Sequence, residues 1–190
     1  MASGADEVRR AWGRVTQWLE RNAPKNHAAL QPPATSKQIS HEESKLGLSL
    51  PEELRVWLLI NNGVGMKETG QGWLSPAPGS SFVPHRWHLL STAELVKVYG
   101  RRMDFQRTGD VPDDEDDEVL VWRREWFPFV ADSDELYGRF VDVRTGAVGR
   151  WSDGDMNRLA THGSLTEFFD ELADLMSTNA RVVDGGIEWR

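Results

Sequence analysis

Residues 33–63, PATSKQISHEESKLGLSLPEELRVWLLINNG, decide the fold of this chain. Thr35-x-x-Gln38 is a capping box, in which the Thr35 hydroxyl satisfies a free amide and Gln38 reaches back. Ile39 and Leu46 fall on one face of the helix that follows, and Gly47 can end it in the left-handed conformation. Leu50-Pro51-Glu52-Glu53 starts a second helix: proline suits the first turn, and the acids complement the positive end of the dipole. Leu54, Trp57, Leu58 and Asn61 share a face at helical spacing. Asn61-Asn62-Gly63 closes that helix, since Asn and Gly both tolerate positive φ. These pieces cap and orient helices, and none is a nucleophile or a poised acid. Thr35, Gln38, Leu50, Pro51, Glu52, Asn62 and Gly63 therefore read as fold determinants.

Upstream, residues 6–21 read as an amphipathic helix, with Val8, Ala11, Trp12, Val15, Trp18 and Leu19 at i, i+3, i+4, i+7 spacing. Asn22-Ala23-Pro24 ends it. Downstream, a Gly/Pro/Ser-rich stretch runs from Gly63 to Pro84, in which Trp73-Leu74 and Phe82-Val83 are candidate short strands. Ser91-Thr92-Ala93-Glu94 is a second capping box, and its helix is expected to run to about Arg102. An acidic segment, 110–118, follows. Past it the period changes: Val119 to Trp122, Trp126 to Val130, Arg139 to Val143 and Ala147 to Trp151 are short β-type runs separated by turns, an antiparallel meander. Ser164-x-x-Glu167 opens a last helix with Leu165, Phe168, Phe169, Leu172, Leu175 and Met176 inward. Asp184-Gly185-Gly186 turns the tail. Helices, then strands, then a helix make an α+β layout.

The signature segment resembles the SUKH superfamily, the Smi/Knr type named after yeast cell-wall regulators. The resemblance rests on Pro33-Ala34-Thr35, Ile39, Glu43, Leu46-Gly47, Leu50-Pro51-Glu52, Leu54, Leu58 and Asn62-Gly63, in order and spacing. It implies a mainly antiparallel β-sheet with helices packed around it. It also implies binding or regulation rather than catalysis. Many bacterial relatives are immunity proteins that neutralise a cognate toxin, often a nuclease or deaminase. Yeast relatives are linked to cell-wall synthesis and signalling.

Composition narrows the function further. At 190 residues the chain is expected to be a single SUKH-like domain, 1–190, long enough to bury a sizeable core. The net charge of −8 argues against a nucleic-acid binder and permits a basic protein partner. Cysteine is absent, which removes disulfides and thiolate zinc sites and fits a reducing compartment. MASGADEVRR lacks an apolar signal core, and no apolar run approaches a membrane span; a cytoplasmic location is expected.

Candidate chemistry is sparse. Asp113-Asp114-Glu115-Asp116-Asp117 reads as a solvated loop first and as a docking patch for a cationic partner second. It lacks the order of ligands and the central glycine of a calcium loop. His85 and His88 would share a face only on a helix, which Pro84 opposes, and no metal is expected. His27, His41 and His162 read as scattered surface residues. No serine sits in a nucleophile elbow, and the Gly63-Val64-Gly65 and Gly70-Gln71-Gly72 pieces do not form a phosphate loop. Trp126 reads as core, whereas Trp122 and Trp151 adjoin polar residues. Trp73, in the Gly-rich stretch, is expected to be partly exposed. Arg123-Arg124-Glu125 reads as a turn.

The expectation is a non-catalytic protein-binding module without cofactors, an immunity-type protein that occludes a basic toxin. Its candidate contacts are Asp113 to Asp117, Trp73, Trp122, Arg123 and Arg124. The alternative is a wall-synthesis or signalling regulator. The third reading is an enzyme or small-ligand protein that uses the long loop as a lid.

Overall fold

The apolar stripe of Val8, Ala11, Trp12, Val15 and Leu19 is buried along helix α1 (Gly4–Asn22), which is the expected amphipathic segment. The structure, a computed structural model, describes residues 4–69, 74–108, 122–153 and 157–189. A short helix, α2 (Pro24–His27), follows α1. Asn26 is buried on it and ties distant segments together: its amide donates to Gly79 O at 2.7 Å and accepts from Ile187 N at 2.8 Å.

The signature segment folds as helices α3 (Ser36–Leu46) and α4 (Glu52–Leu58). The Thr35 capping box is complete, with Thr35 Oγ1 accepting from Gln38 N at 3.2 Å and Gln38 Oε1 from Thr35 N at 2.8 Å. Gly47 ends α3 at φ 65°. Glu43 joins the two helices, since it accepts from Leu50 N at 3.0 Å and pairs with Arg55 at 2.6 Å. Pro51 sits at the cap of α4 rather than inside its first turn, and α4 ends at Leu58 in a turn. Asn61 leaves the helix because its amide donates to Gln31 O at 2.9 Å.

Strands β1 (Met66–Glu68) and β2 (Leu74–Pro76) pair as a small antiparallel sheet within the long connection. Phe82-Val83 is not a strand. Val83 instead bridges Trp87 around a 3-10 turn at Pro84–Arg86. Strand β3 (His88–Leu89) and helix α5 (Thr92–Thr108) follow; α5 is longer than its sequence pattern suggests. The Ser91 capping box is formed, with Ser91 N donating to Glu94 Oε2 at 3.0 Å.

The meander is strands β4 (Trp126–Ala131), β5 (Tyr137–Asp142), β6 (Val148–Ser152) and β7 (Arg158–His162). With β3 they make an antiparallel sheet in the order β3-β4-β5-β6-β7. The expected Val119–Trp122 run lies outside the described residues except for Trp122, which is not in a strand. Helix α6 (Leu165–Asn179) starts at its Ser164 cap, and a terminal hairpin, β8 (Ala180–Val183) and β9 (Gly186–Trp189), closes on the Asp184-Gly185 turn.

Helices lie on both faces of the sheet. On one, α5 lays Arg102 over Trp151, and Tyr99 of the same helix stacks on Phe127 at 5.5 Å. On the other, α6 presses Phe168 edge-on to Phe129, and behind it Trp12, Trp57 and Phe169 form a ring cluster with centroids 4.9–5.7 Å apart. Aromatic pairs in these geometries add to plain area burial.

The signature segment also reaches the sheet-flanking helices. Asn62 Oδ1 accepts from Thr92 N at 2.8 Å, at the start of α5. Glu53 accepts from Leu165 N at 2.9 Å, Thr166 N at 3.2 Å and the Thr166 hydroxyl at 2.9 Å, at the start of α6. One motif thus caps helices on opposite faces of the sheet.

Candidate functional site

Gly138-Arg139-Phe140 in β5 and Gly149-Arg150-Trp151 in β6 repeat one triplet on antiparallel neighbours. The register sets Gly138 opposite Trp151, Arg139 opposite Arg150, and Phe140 opposite Gly149. Each glycine leaves space for the ring across from it. A Cβ on Gly138 would lie 2.1 Å from Trp151 Cη2, and one on Gly149 would lie 2.2 Å from Phe140 Cζ. Strand side chains alternate, so the arginines emerge on the α6 face. Arg158 in β7 lies opposite Arg150 and extends the row across a third strand.

Like charges directly opposite one another destabilise a sheet. Here aromatic rings receive the cations instead. The Arg139 guanidinium lies 5.9 Å from the Trp87 ring centre and 5.5 Å from that of Phe168, and the Arg150 guanidinium lies 5.7 Å from Trp87. Burial lowers the Arg139 pKa, with the nearby Glu171 charge acting against it. Arg139 donates to Thr161 Oγ1 at 2.8 Å. Among the described residues, no carboxylate forms an ion pair with Arg139 or Arg150. The Arg150 Nε–H is buried without an acceptor.

Trp87, Arg139 and Phe168 border a cleft of about 180 Å³ between the sheet, α6 and the Pro84–Arg86 turn, and Arg150 is not part of its lining. Trp87, Arg139, His162, Phe168, Glu171, Leu172 and Leu175 are among the residues that line it. The turn holds its shape against backbone preference, with His85 at φ 67° and Arg86 at φ 64°. His162 is not a surface residue, because its side chain is 8% exposed. Its Nε2 meets Glu171 Oε2 at 2.7 Å and its Nδ1 meets Thr161 Oγ1 at 3.0 Å. Burial lowers the His162 pKa more than the Glu171 contact raises it. The neutral ring suits the Glu171 contact, donating through Nε2–H, while the single Thr161 hydroxyl proton has both Val148 O and His162 Nδ1 at 3.0 Å.

The SMI1/KNR4 family (SUKH-1) profile matches residues 33–171, most of the chain. The chain belongs to the SMI1/KNR4 family. No curated protein matches it. The match spans the signature helices, the five-stranded sheet and the start of α6, so it holds the cleft lining except Leu172 and Leu175, which follow it on α6.

None of the candidate contacts read from the sequence is among the described residues lining the cleft. Asp113 to Asp117 and Trp73 are outside the described residues. Trp122 is not a surface anchor: it is 6% exposed and sits edge-on to Trp126, Phe140 and Trp151. Trp151 is likewise core, at 1% exposed. Arg123 lays its guanidinium over Trp126, and Arg124, on the expected turn, is exposed with its carbonyl taking the Tyr99 hydroxyl at 2.9 Å. These groups collect on the α5 face, across the sheet from the cleft. His85 and His88 do not share a helix face, and no cluster of potential metal ligands forms among the described residues. The sequence signal for this side of the sheet is the repeated Gly-Arg-aromatic triplet, which sets the arginines on one face and the glycine–ring pairs on the other.

The neighbouring His88 is buried at 3% exposure, and burial pushes its pKa from 6.5 down to about 4 against a backbone hydrogen bond with Ala131. The folded chain therefore holds a neutral imidazole that the unfolded chain protonates at the ordinary value. Stability that is full above pH 6.5 falls as the pH drops toward about 4. By about pH 5 the loss is about 2 kcal/mol, to which His162 adds in the same direction. Denaturant unfolding of His88→Gln should show a flatter profile between about pH 7 and pH 5 than the parent. An unchanged slope would remove His88 from this account.

Proposed function

We propose that this chain is a non-catalytic protein-binding module of the immunity type, which binds a cognate toxin and occludes it stoichiometrically. Membership of the SMI1/KNR4 family, joined to a net charge of −8, carries the reading. Toxins that act on nucleic acid tend to be basic, and an acidic partner gains association rate and specificity from charge complementarity. Asp113 to Asp117, Trp73, Arg123 and Arg124 remain the proposed contacts on this reading, with the cleft beside Trp87 and Arg139 as a further contact region. Tryptophan and arginine are the residue types enriched at binding hot spots. The reading places the chain in the cytoplasm; among the described residues no helix is long and apolar enough to cross a membrane.

The test is to express the products of the genes flanking this one, alone and together with this chain. One of them should arrest growth alone and be tolerated in its presence. If none is toxic, or if toxicity persists unchanged, the immunity reading fails. The family's yeast namesakes support a second reading, a regulator of wall synthesis. A flanking wall-synthesis cluster with no toxic product would favour it.

A further inference from the structure

We infer that the cleft bordered by Trp87, Arg139, Phe168 and Leu175 is a binding site for a carboxylate carried on an apolar stem. Charge gives the first reason. Arg139 and Arg150 bring two cations to one ring, Glu171 is the carboxylate lining the cleft, and its Oε2 is engaged by His162. With Glu171 engaged by His162, Arg139 is the cation of the lining that has no carboxylate partner among the described residues, and Arg150 adds positive charge from beside Trp87 without itself lining the cleft.

Unused hydrogen-bonding capacity gives the second. The described acceptor for the Arg139 guanidinium is Thr161 Oγ1, which leaves other Arg139 donors open to the cleft, and the neighbouring Arg150 Nε–H, outside the lining, has no acceptor. A buried donor left unpaired costs free energy, and native structures seldom carry one without a reason. The chain has eight more acidic than basic residues, yet none of its described carboxylates pairs with these arginines. A guanidinium presents a planar fork that a carboxylate fills with paired hydrogen bonds.

The walls give the third. Phe168, Leu172 and Leu175 offer apolar surface beside the Arg139 head, and a cleft of about 180 Å³ accommodates an acidic side chain or a small aryl acid. One lining guanidinium, Arg139, matches a monoanion, and Glu171 at the rim disfavours a dianion such as phosphate. The inference stands apart from the toxin reading, because the cleft would bind such a group whichever protein or metabolite presents it.

The experiment titrates the ¹⁵N-labelled full chain with 4-phenylbutyrate. It follows the Arg139 Nε–H and Trp87 indole signals, with 4-phenylbutylamine and inorganic phosphate as controls. Saturable shifts with 4-phenylbutyrate and none with the amine are expected. Arg139→Gln should weaken binding about tenfold, the loss of one charge-assisted pair. Leu175→Glu, which leaves the arginines in place and adds a carboxylate at the rim, should weaken it comparably. An acetylated, amidated Leu-Glu-Leu peptide then separates the sources. Tighter binding than 4-phenylbutyrate assigns the site to a protein segment, and weaker binding assigns it to a free apolar acid. No saturable shift, phosphate binding as tight as 4-phenylbutyrate, or unchanged affinity in both variants overturns the inference.

Discussion

Replacing Gly63 with alanine is expected to remove about 4 kcal/mol of stability, the sum of left-handed strain and a backbone clash. Gly63 stands at φ 72°, and a Cβ there would lie 2.5 Å from both Leu90 C and Ser91 N and 2.7 Å from Leu90 O. Every one of those atoms is backbone, so no side chain can swing aside. The segment cannot slide either. Gly63 O accepts from Gln31 N at 3.0 Å, and Val64 N donates to Leu89 O at 3.2 Å. The clash falls on the residues that lead into α5, beside the Asn62 bond to Thr92, so the damage spreads to the sheet face that α5 covers. Gly146 is the control. It has φ 76° with nothing within 4 Å of its Cβ position, so Gly146→Ala pays the strain alone, about 1 kcal/mol. Equilibrium denaturation of the two variants separates the contributions. Equal losses would show that Gly63 is a turn glycine and not a packing point.

The second large effect is expected at Glu53. Glu53→Ala should cost about 3 kcal/mol, since it deletes a charged acceptor shared by two amides and a hydroxyl at a helix start. Those donors belong to Leu165 and Thr166, at the beginning of α6. Ser164 and Glu167 satisfy neighbouring amides but cannot reach these. Glu53→Gln keeps an oxygen acceptor and should cost about half as much. Glu52, next to it and exposed, provides the comparison: Glu52→Ala should lose less than about 1 kcal/mol, the usual size of a dipole effect on an exposed acid. If the Glu53 and Glu52 variants are equally mild, the cross-fold cap is not stabilising α6.

Both residues show how far the sequence could be read. The helix boundaries in residues 33–63 follow from local chemistry: Thr35 with Gln38 forms a capping box, and Gly47 adopts positive φ. Short-range rules suffice there because donor and acceptor lie within a few residues. Glu53 was legible only as an acid near the start of its own helix. Its partners are more than a hundred positions away, and nothing in the local pattern points to them. Strands β4 to β6 were legible from their apolar and aromatic runs. Strand β7, Arg-Leu-Ala-Thr-His, carries neither signal, and its pairing with β6 defines it. Trp122 was ambiguous because its neighbours in sequence are polar, whereas its neighbours in space are three aromatic rings. Arg139 and Arg150 were hidden for the complementary reason. Arginine between apolar strand residues reads as the solvated half of an alternation, but Trp87 and Phe168 cover that half.

The fold and the proposed role connect through this architecture. The signature segment caps α5 and α6, and those helices clasp the sheet from opposite faces. The clasped sheet presents the arginine row beside Trp87 and the apolar side of α6. A binder needs rigid placement of such groups and no moving parts, and a network of caps and ring pairs supplies rigidity without catalysis.

On the proposed function the chain neutralises a partner by occupying it. The most direct measurement titrates the activity of the flanking-gene toxin with this chain at toxin concentrations well above the dissociation constant. Occlusion predicts a linear fall to zero with a sharp end point at one chain per toxin, independent of incubation time. Loss of activity at substoichiometric amounts that grows with time would mean catalysis, and undiminished activity at excess would mean no inhibition; either would contradict the account.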